Sequence, residues 1–467
     1  MEPMKLDDKK NKPNKNFLLA TVISCNLGSF ASGILLTWTS PVLPKLNNAT
    51  NVDSNPLGEP INLIQESWIG SCLALGAIFG PLLAGFTADR IGRKNTLVYC
   101  AGLPFLISLL ILAFAKTPFL YYVARFLGGF GIGNLYTALP MYFGEISEAS
   151  IRGAVSSSMN VFICLGELYA YAVGPYVSIM LFCLSCAVFP LAFILTFFFF
   201  PDSPYYLLAK DKMRTAEKSL MRLRNRTKSG IQQELKMMQR NVEEEAVNRG
   251  SLRDIFKSKG LRKALLICLG LVSFQQFSGI TVVQFYVTNI FEATGSSLSP
   301  DVSAIIVGIV QLLASFSTPI LVDRLGRKLL FLMSAIGMVI SEVPLGIYFY
   351  LKDGGTDVST LGWLPVLSLV AYIITYNLGF GPLPWTVMGE VFPSNVKSTA
   401  SMITASVCWA LGFLVANLFP IIAEAMGKGG TFWLFSGFCV LAAIFTALFL
   451  VETKGKSLQE IQKELNK

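Results

Sequence analysis

Apolar runs alternate with short polar turns along most of the chain, and each run is about 20 residues long, enough to cross a bilayer as an α-helix. Six runs precede residue 201 and six follow residue 261. They lie near 17–37, 67–88, 95–115, 118–142, 154–175, 177–200, 262–291, 301–322, 329–351, 361–387, 399–423 and 431–451. The pattern predicts an all-α membrane protein with twelve transmembrane helices in two six-helix halves.

Two six-residue sequences mark the chain as a duplicated half. Asp89–Lys94 reads DRIGRK and Asp323–Lys328 reads DRLGRK, and each stands between two apolar runs. A second repeat pairs an acid with a base seven residues later, in Glu145 with Arg152 and in Glu390 with Lys397. Internal repeats of this kind indicate a transporter built from two pseudo-symmetric halves.

The polar segments divide the chain into five parts. They are a cytosolic tail at 1–16, an N-terminal half at 17–200, an amphipathic helical linker at 201–261, a C-terminal half at 262–451 and a second cytosolic tail at 452–467. Residues 205–263 hold 16 basic and 7 acidic residues, a net charge of +9 that equals the charge of the whole chain.

Basic loops stay on the cytosolic side of a membrane, so this charge reports topology rather than nucleic-acid binding. We expect a multi-pass cell-membrane protein with both termini in the cytosol. The tail at 1–16 lacks the apolar core of a signal peptide. The loop 38–66 then falls outside, where Asn48, in the triplet Asn48-Ala49-Thr50, is a glycosylation acceptor.

Composition excludes most enzyme chemistry. Apolar residues make up 53% of the chain and charged residues 14%, and histidine is absent. Without histidine there is no Ser-His or Cys-His nucleophile pair and no imidazole metal ligand. All nine cysteines lie in apolar runs, which is typical of small buried hydrophobes and not of disulfides. We therefore expect no catalysis, no cofactor and no metal.

Polar groups inside a span are costly, and they mark a substrate path where helices are interrupted. The seventh run carries Gln275, Gln276, Thr281 and Gln284 around Ser278-Gly279. The tenth run is broken by glycines and prolines between 379 and 384, just before Trp385. Amides donate and accept hydrogen bonds, and an indole stacks on a sugar ring. These runs predict a site for a neutral polyol.

Seven motifs in this order give the chain its closest family resemblance. They are the two DRxGRK turns, Arg125–Gly133 with Pro140–Glu145, Arg152-Gly153, Pro201–Pro204, Gln275–Ile280, Gly379–Trp385 and Glu452–Gly455. With them the chain resembles the sugar porters of the major facilitator superfamily over nearly its full length. Trp38–Pro41 and Ser67–Gly70 look most like the insect facilitated trehalose or hexose transporters.

The resemblance implies sugar contacts at Gln275, Gln276, Asn160, Trp385 and Trp409, and an outer gate at Phe285 and Tyr286. Four positions depart from the family pattern. Thr281, Gln311 and Cys408 stand where asparagine is usual, and Asn377 replaces a common acid. These changes alter hydrogen bonds to hydroxyl groups and hence the selectivity among sugars.

Acidic and basic residues gather where the runs meet the cytosol, and such pairs can be made and broken as a mouth opens. The resemblance implies a cytosolic latch, while anchoring of loops at lipid headgroups is the simpler alternative. The latch residues are Asp89, Arg90, Arg93, Glu145, Arg152, Asp323, Arg324, Arg327, Glu390, Lys397 and Glu452. Lys397 replaces the usual arginine, which makes a forked bond a point contact.

The function that follows is passive transport of a hexose or trehalose by alternating access, with the sugar and the bilayer as partners. Proton symport and non-transporting sugar sensing are the alternatives. This family's proton symporters pair an acid in the first span with an arginine that corresponds to Arg125, but no acid lies between Asp8 and Asp53. Glu167 and Glu342 lie in other spans; either is an alternative proton carrier, and Glu167 is a candidate counter-ion for Arg125.

Overall fold

The structure, a computed structural model, describes residues 16–48, 55–148, 150–247, 252–296, 298–316 and 318–466. These residues form α-helices joined by short turns, and none of them lies in a strand, so the all-α prediction is confirmed. The tail predicted at 1–16, apart from Asn16, lies outside the described residues, as do Ala49 and Thr50 of the glycosylation triplet.

The described residues of the N-terminal half form helices α1 to α8. Their bounds are Asn16–Thr37, Thr39–Asn47, Leu63–Ile91, Arg93–Leu97, Leu103–Phe114, Pro118–Ile146, Arg152–Val173 and Ile179–Phe197. The linker forms α9 to α12, at Pro204–Ala209, Met213–Arg224, Lys228–Val247 and Leu252–Lys257. A π-helical turn at Val98–Gly102 connects α4 to α5.

The described residues of the C-terminal half and the tail form α13 to α21. Their bounds are Lys259–Phe277, Ile280–Thr294, Pro300–Ser315, Thr318–Leu325, Arg327–Asp353, Leu364–Leu378, Leu383–Val391, Ser394–Phe449 and Leu458–Asn466. Helix α20 is interrupted at Gly427, which has a positive φ of 76°. The two DRxGRK turns and the linker mark one end of the helix bundle, which we call the basic end. The opposite end contains α2 and the start of α3.

Eight segments of the described chain are long and apolar enough to cross a membrane. Helices α6 and α7, which the sequence predicts as spans, carry many small and polar residues and are not among the eight, and α20 combines two predicted spans. Large apolar side chains such as Phe198, Phe199 and Leu448 are more than 70% exposed on the outside of the bundle. Because this outer surface is apolar, we expect it to contact the lipid of a bilayer.

The first predicted span ends too early. The sequence places a loop from residue 38, whereas α2 continues the first helix to Asn47 beyond a turn at Trp38. Pro41 lies in the first turn of α2, where no backbone N–H is required. The indole of Trp38 is fully buried, and its N–H donates to the sulfur of Cys183 at 3.2 Å. All nine cysteines are free, as predicted, and eight of them are buried.

The linker is attached to both halves through different helices. Helices α9 and α10 pack on α6 and α1, whereas α12 packs on α13 and α20. The buried guanidinium of Arg224 donates to the Glu234 carboxylate on α11 at 2.7 Å and to the Ile146 carbonyl at the end of α6 at 2.6 Å. The linker helices bury apolar side chains, among them Ala216, Leu220, Leu223 and Leu235.

Glycines let two pairs of helices pack with their backbones in contact. A Cβ on Gly76 of α3 would stand 1.9 Å from the Phe126 carbonyl oxygen of α6, and one on Gly129 of α6 would stand 1.7 Å from the Leu73 oxygen of α3. Helices α1 and α7 meet in the same reciprocal way. Close packing of small residues replaces the hydrophobic effect as the source of helix association in lipid.

We expect Gly129→Ala to destabilise the protein by about 1–3 kcal/mol, because the new methyl group must push α3 away from α6. Thermal unfolding of the purified protein in lipid nanodiscs measures this loss. Gly437→Ala in α20 is the matched control, since a Cβ there meets nothing within 4 Å. Equal melting temperatures for the two variants would contradict this account of the packing.

Candidate functional site

The seventh predicted span is broken into α13 and α14 at Ser278-Gly279. Gly279 has a positive φ of 84°, and a Cβ there would stand 2.7 Å from the ring of Phe435. Gln275 and Gln276 lie in the last turn of α13, and the Ser278 hydroxyl donates to the Gln275 carbonyl at 2.8 Å. The break therefore places an adjacent pair of amides at the end of a helix.

The tenth predicted span is broken between α18 and α19, and Gln275 bonds to the carbonyls that this break leaves. Its Nε2 donates to the carbonyls of Phe380 and Gly381 at 2.7 and 2.8 Å and to the hydroxyl of Tyr376 at 3.2 Å. Tyr372 on α18 returns a bond to the Ser278 carbonyl at 2.8 Å. The two broken helices are thus tied to each other through their breaks.

Gln276 faces α20. Its Nε2 donates to the sulfur of Cys408 at 3.1 Å, and its Oε1 accepts from the hydroxyl of Thr281 at 2.5 Å. Sulfur is a weak acceptor, so the bond to Cys408 is one that a hydroxyl oxygen can replace. We call Gln275, Gln276, Thr281, Cys408 and the carbonyls of Phe380 and Gly381 the central site.

The other predicted sugar contacts lie on five helices, α7, α15, α18, α19 and α20. Asn160 is exposed on α7, Gln311 is buried on α15, Asn377 is buried near the end of α18, and Trp385 on α19 is 37% exposed. The Trp409 ring lies 6.0 Å from that of Tyr136, which brings α20 against α6.

Phe285 and Tyr286, the predicted outer gate, are both buried at the opposite end. The backbone of α14 leaves the helical region at Tyr286, with φ −126° and ψ 16°. The Tyr286 hydroxyl donates to the Ala416 carbonyl at 3.3 Å and occupies the space over Gly70, where a Cβ would stand only 2.1 Å away. Gly70, in the segment Ser67–Gly70, thus leaves the space that the Tyr286 side chain occupies.

The predicted ion pair between Arg125 and Glu167 is not formed, and this prediction is wrong for the structure. Arg125 donates to the carbonyls of Ile69, at 3.2 Å, and Leu35, and its guanidinium lies 5.7 Å from the Phe285 ring. The carbonyls of α1 and α3 are closer than any acid. Glu167 on α7 instead accepts from Gln284 at 2.9 Å through Oε1, and its Oε2 has no partner among the described residues.

Each DRxGRK turn holds an arginine that pairs with a glutamate of the predicted latch. Arg93 lies 2.9 Å from Glu145, and Arg327 lies 2.7 Å from Glu390. Each arginine also donates to a carbonyl in the preceding helix, at Ala88 and at Val322 respectively. Both pairs stay within one half of the chain, so in this conformation neither of them ties the two halves together.

The remaining latch residues occupy the rim of the basic end. Asp89 pairs with Arg93 at 3.2 Å, and the Arg90 guanidinium lies 4.0 Å from the Phe86 ring centroid. Lys397 was expected to join Glu390, but its amine donates to the Gly389 carbonyl at 2.8 Å. Arg152 and Arg324 are exposed, and the side chain of Asp323 is outside the described part.

An acid caps the backbone of each turn. Glu452 accepts from the N–H groups of Arg327 and Lys328 at 3.0 and 2.9 Å, and Asp202 accepts from that of Lys94 at 3.2 Å. The glycines of the turns have positive φ, and added Cβ atoms would stand 2.0 Å from Asp202 at Gly92 and 2.8 Å from Glu452 at Gly326. Glu452 is thus a helix cap as well as a predicted latch acid.

The model of the family described as "Sugar (and other) transporter" matches residues 18–465. The chain belongs to this sugar transporter family. The resemblance inferred from the motifs is therefore confirmed, and the family is one of transporters and not of enzymes.

Curated relatives and solved structures extend this result. The facilitated trehalose transporters Tret1 of Aedes aegypti and Culex quinquefasciatus are each 35% identical to this sugar transporter family member over 95% of the chain. The chain spans 54% of the first and 84% of the second. The xylose transporter XylE of E. coli, in an inward-open conformation, matches with a TM-score of 0.78 at 24% identity over 96% of this chain and 99% of its own.

The capping role of Asp202 was not predicted from the sequence. Its signal was present, because an acid followed by a hydroxyl residue recurs in Asp202-Ser203 and Glu452-Thr453, each just after a half ends. Arg224 had no comparable signal, being one of many basic residues in the linker. The Thr453 hydroxyl donates to Glu390 at 2.6 Å, so the C-terminal cap also supports the ion pair.

Burial raises the pKa of Glu452, whereas hydrogen bonds from backbone N–H groups, that of Arg327 first among them, lower it. The lowering is the larger effect, so the pKa lies below that of a free glutamate. A lowered folded-state pKa contributes stability above the unfolded pKa, about 4.3, and this contribution is lost as the pH falls through the folded value. We expect Glu452→Gln to lower the melting temperature at neutral pH, by a difference that shrinks on acidification.

Thermal unfolding of wild type and variant over a pH series measures this difference. Glu244→Gln, on the exposed face of α11, is the control and should leave the melting temperature unchanged at every pH. A difference between Glu452→Gln and wild type that is the same at all pH values would show that the negative charge does not carry the cap.

Proposed function

We propose that the chain is a facilitative carrier that moves a neutral sugar, a hexose or trehalose, across the plasma membrane by alternating access. The observation that carries the proposal is the glutamine pair at the junction of two broken helices. Gln275 and Gln276 are neutral and can both donate and accept. Broken helices are where carriers expose backbone to a substrate, and the family and the named relatives agree with sugar as that substrate.

The chemistry of the central site supports a polyol and not an ion. Among its described residues there is no carboxylate and no amine, so a charged substrate would enter without a counter-charge. A sugar hydroxyl can replace the Cys408 sulfur as the acceptor of the Gln276 N–H. The N–H then has a stronger acceptor than sulfur. Trp409 and Trp385 lie on neighbouring helices, and their indole faces suit the apolar side of a sugar ring.

The membrane arrangement is part of the same proposal. Twelve spans, six in each half, put the basic end in the cytosol together with both termini, by the excess of lysine and arginine there. The opposite end then faces outside, with Asn48 exposed as a glycosylation acceptor. Side-chain bonds between the halves gather at this outer end, as between Ser40 and Thr288 at 2.7 Å, which supports a conformation closed to the outside.

Alternating access supplies the role for the latch. The pairs Arg93–Glu145 and Arg327–Glu390 stay within their halves while the cytosolic end is open. Arg152 and Lys397 are exposed at this end, where they can bond across the halves when the end closes. Bonds that form in only one conformation shift the population toward it, so we assign the bonds of Arg152 and Lys397 across the halves to the outward-facing state.

Counterflow of labelled sugars in proteoliposomes tests this function, with a hexose, a disaccharide, a polyol and an amino acid in parallel. We expect exchange of at least one sugar and none of the amino acid. Gln276→Ala should weaken apparent affinity for that sugar, since one lost hydrogen bond costs about 1 kcal/mol and a stranded partner up to about 3. Gln239→Ala, which removes the same amide from the linker helix α11, is the control.

Absence of counterflow with all sugars would refute the proposed function. An unchanged affinity in Gln276→Ala, with transport intact, would leave the function but remove the central site. Gln275→Ala is less informative about binding, because its amide also satisfies the carbonyls of the broken helix. For that variant we expect a loss of stability together with the loss of affinity.

A proton-coupled symporter is the second candidate, and Glu167 is the observation in its favour. This carboxyl is buried between the halves, bonded to Gln284 through one oxygen and without a partner on the other among the described residues. Such an acid can change its proton as the halves move. Arg125 does not fix its charge, because backbone carbonyls hold that guanidinium.

Sugar accumulation in vesicles with an imposed pH gradient decides between the two candidates. We expect equilibration to equal concentrations, unaffected by a protonophore and by Glu167→Gln. Uphill accumulation that collapses with the gradient and is abolished by Glu167→Gln would establish symport. Glu342→Gln tests the other predicted proton carrier, an equally buried acid that lies on α17 within the C-terminal half.

A further inference from the structure

Glu66 is a carboxylate that bridges the two halves of the chain at the outer end. It lies in the first turn of α3 and accepts from the Asn47 amide on α2 at 3.1 Å and from the Asn289 amide on α14 at 3.2 Å. Each asparagine bonds to a different carboxylate oxygen. Asn47 and Glu66 belong to the N-terminal half and Asn289 to the C-terminal half, so one acid spans the boundary.

Other polar contacts cross the same boundary beside Glu66. The hydroxyls of Ser40 and Thr288 lie 2.7 Å apart, and the Asn417 amide donates to the Ser71 hydroxyl at 3.0 Å. Hydroxyl and amide groups of this kind can bond to water instead when they separate. Their bonds can therefore break and form again as this end opens and closes, in contrast to the glycine packing within the N-terminal half.

A cavity of about 510 Å³ opens beside this bridge. Its lining includes Glu66, Asn289, Glu292, Glu424 and Lys428. Three carboxylates against one amine give it a net negative charge, and repulsion among the acids works against closure. The Asn289 N–H that binds Glu66 offsets this repulsion only while α14 stays against α2 and α3. The closed state thus depends on the bond that crosses the halves.

We propose that Glu66 is an outer latch: a positioning residue that holds α14 against α2 and α3 while the cytosolic end is open. The inference rests on the alternating access of the proposed function. It adds the group that sets the balance between the state closed to the outside and the outward-open state. Because the bond from Asn289 exists only in the closed state, its full strength favours that state. Removal of Glu66 should therefore populate the outward-open form.

A pair of spin labels across the outer end tests the latch without any sugar. Ile64 on α3 and Met426 on α20 are 63% and 52% exposed and belong to different halves. With labels at these two sites, in a background with the native cysteines replaced, we expect Glu66→Ala to raise the ratio of long to short distances about tenfold, the worth of a hydrogen bond to a charged group. Asn289→Ala should act in the same direction.

Glu424→Gln is the control, because it removes one charge from the same cavity, and Glu424 makes no hydrogen bond or ion pair to the other half among the described residues. The double variant Glu66→Ala with Asn289→Ala should shift the ratio no further than Glu66→Ala alone. Unchanged distances in Glu66→Ala, in protein that elutes as a folded monodisperse species, would overturn the latch. An equal shift in Glu424→Gln would overturn it too, in favour of cavity charge alone. Since no sugar is used, failure of sugar transport would leave this result standing.

Discussion

A polar backbone group inside a bilayer must find its partner within the protein, and the centre of this molecule is organised around that requirement. The break between α18 and α19 leaves carbonyls without helical partners, and the amide of Gln275 binds two of them. The same amide reaches out from a second break, at Gly279. Two defects that would each be costly alone thus stabilise each other, and the amides that achieve this are also suited to a sugar.

The repeated turns at the basic end follow a similar logic in both halves. A glycine of positive φ exposes backbone N–H groups, an acid from a distant segment caps them, and an arginine beside them pairs with a glutamate. The acids, Asp202 and Glu452, come from just beyond the last helix of each half. Each half therefore closes on itself at this end, which leaves the contact between halves free to change.

Repeats and apolar runs were enough to predict the helical class and both turns, because each rests on residue types at fixed spacing. Contacts to backbone carbonyls were not predictable, since a carbonyl has no residue type. This is why the Arg125 guanidinium was assigned to Glu167 and not to Ile69 and Leu35. Helix α2 was missed because it lies beyond the first apolar run, and it includes Pro41 in its first turn and Pro44 in its interior.

The linker changes its attachment from one half to the other over a short stretch of chain. Up to Val247 its helices pack with the N-terminal half through Arg224, and from Leu252 they pack with α13 and α20. Each described part of the linker therefore packs with one half, so a change in the angle between the halves can leave the packing within each part unchanged.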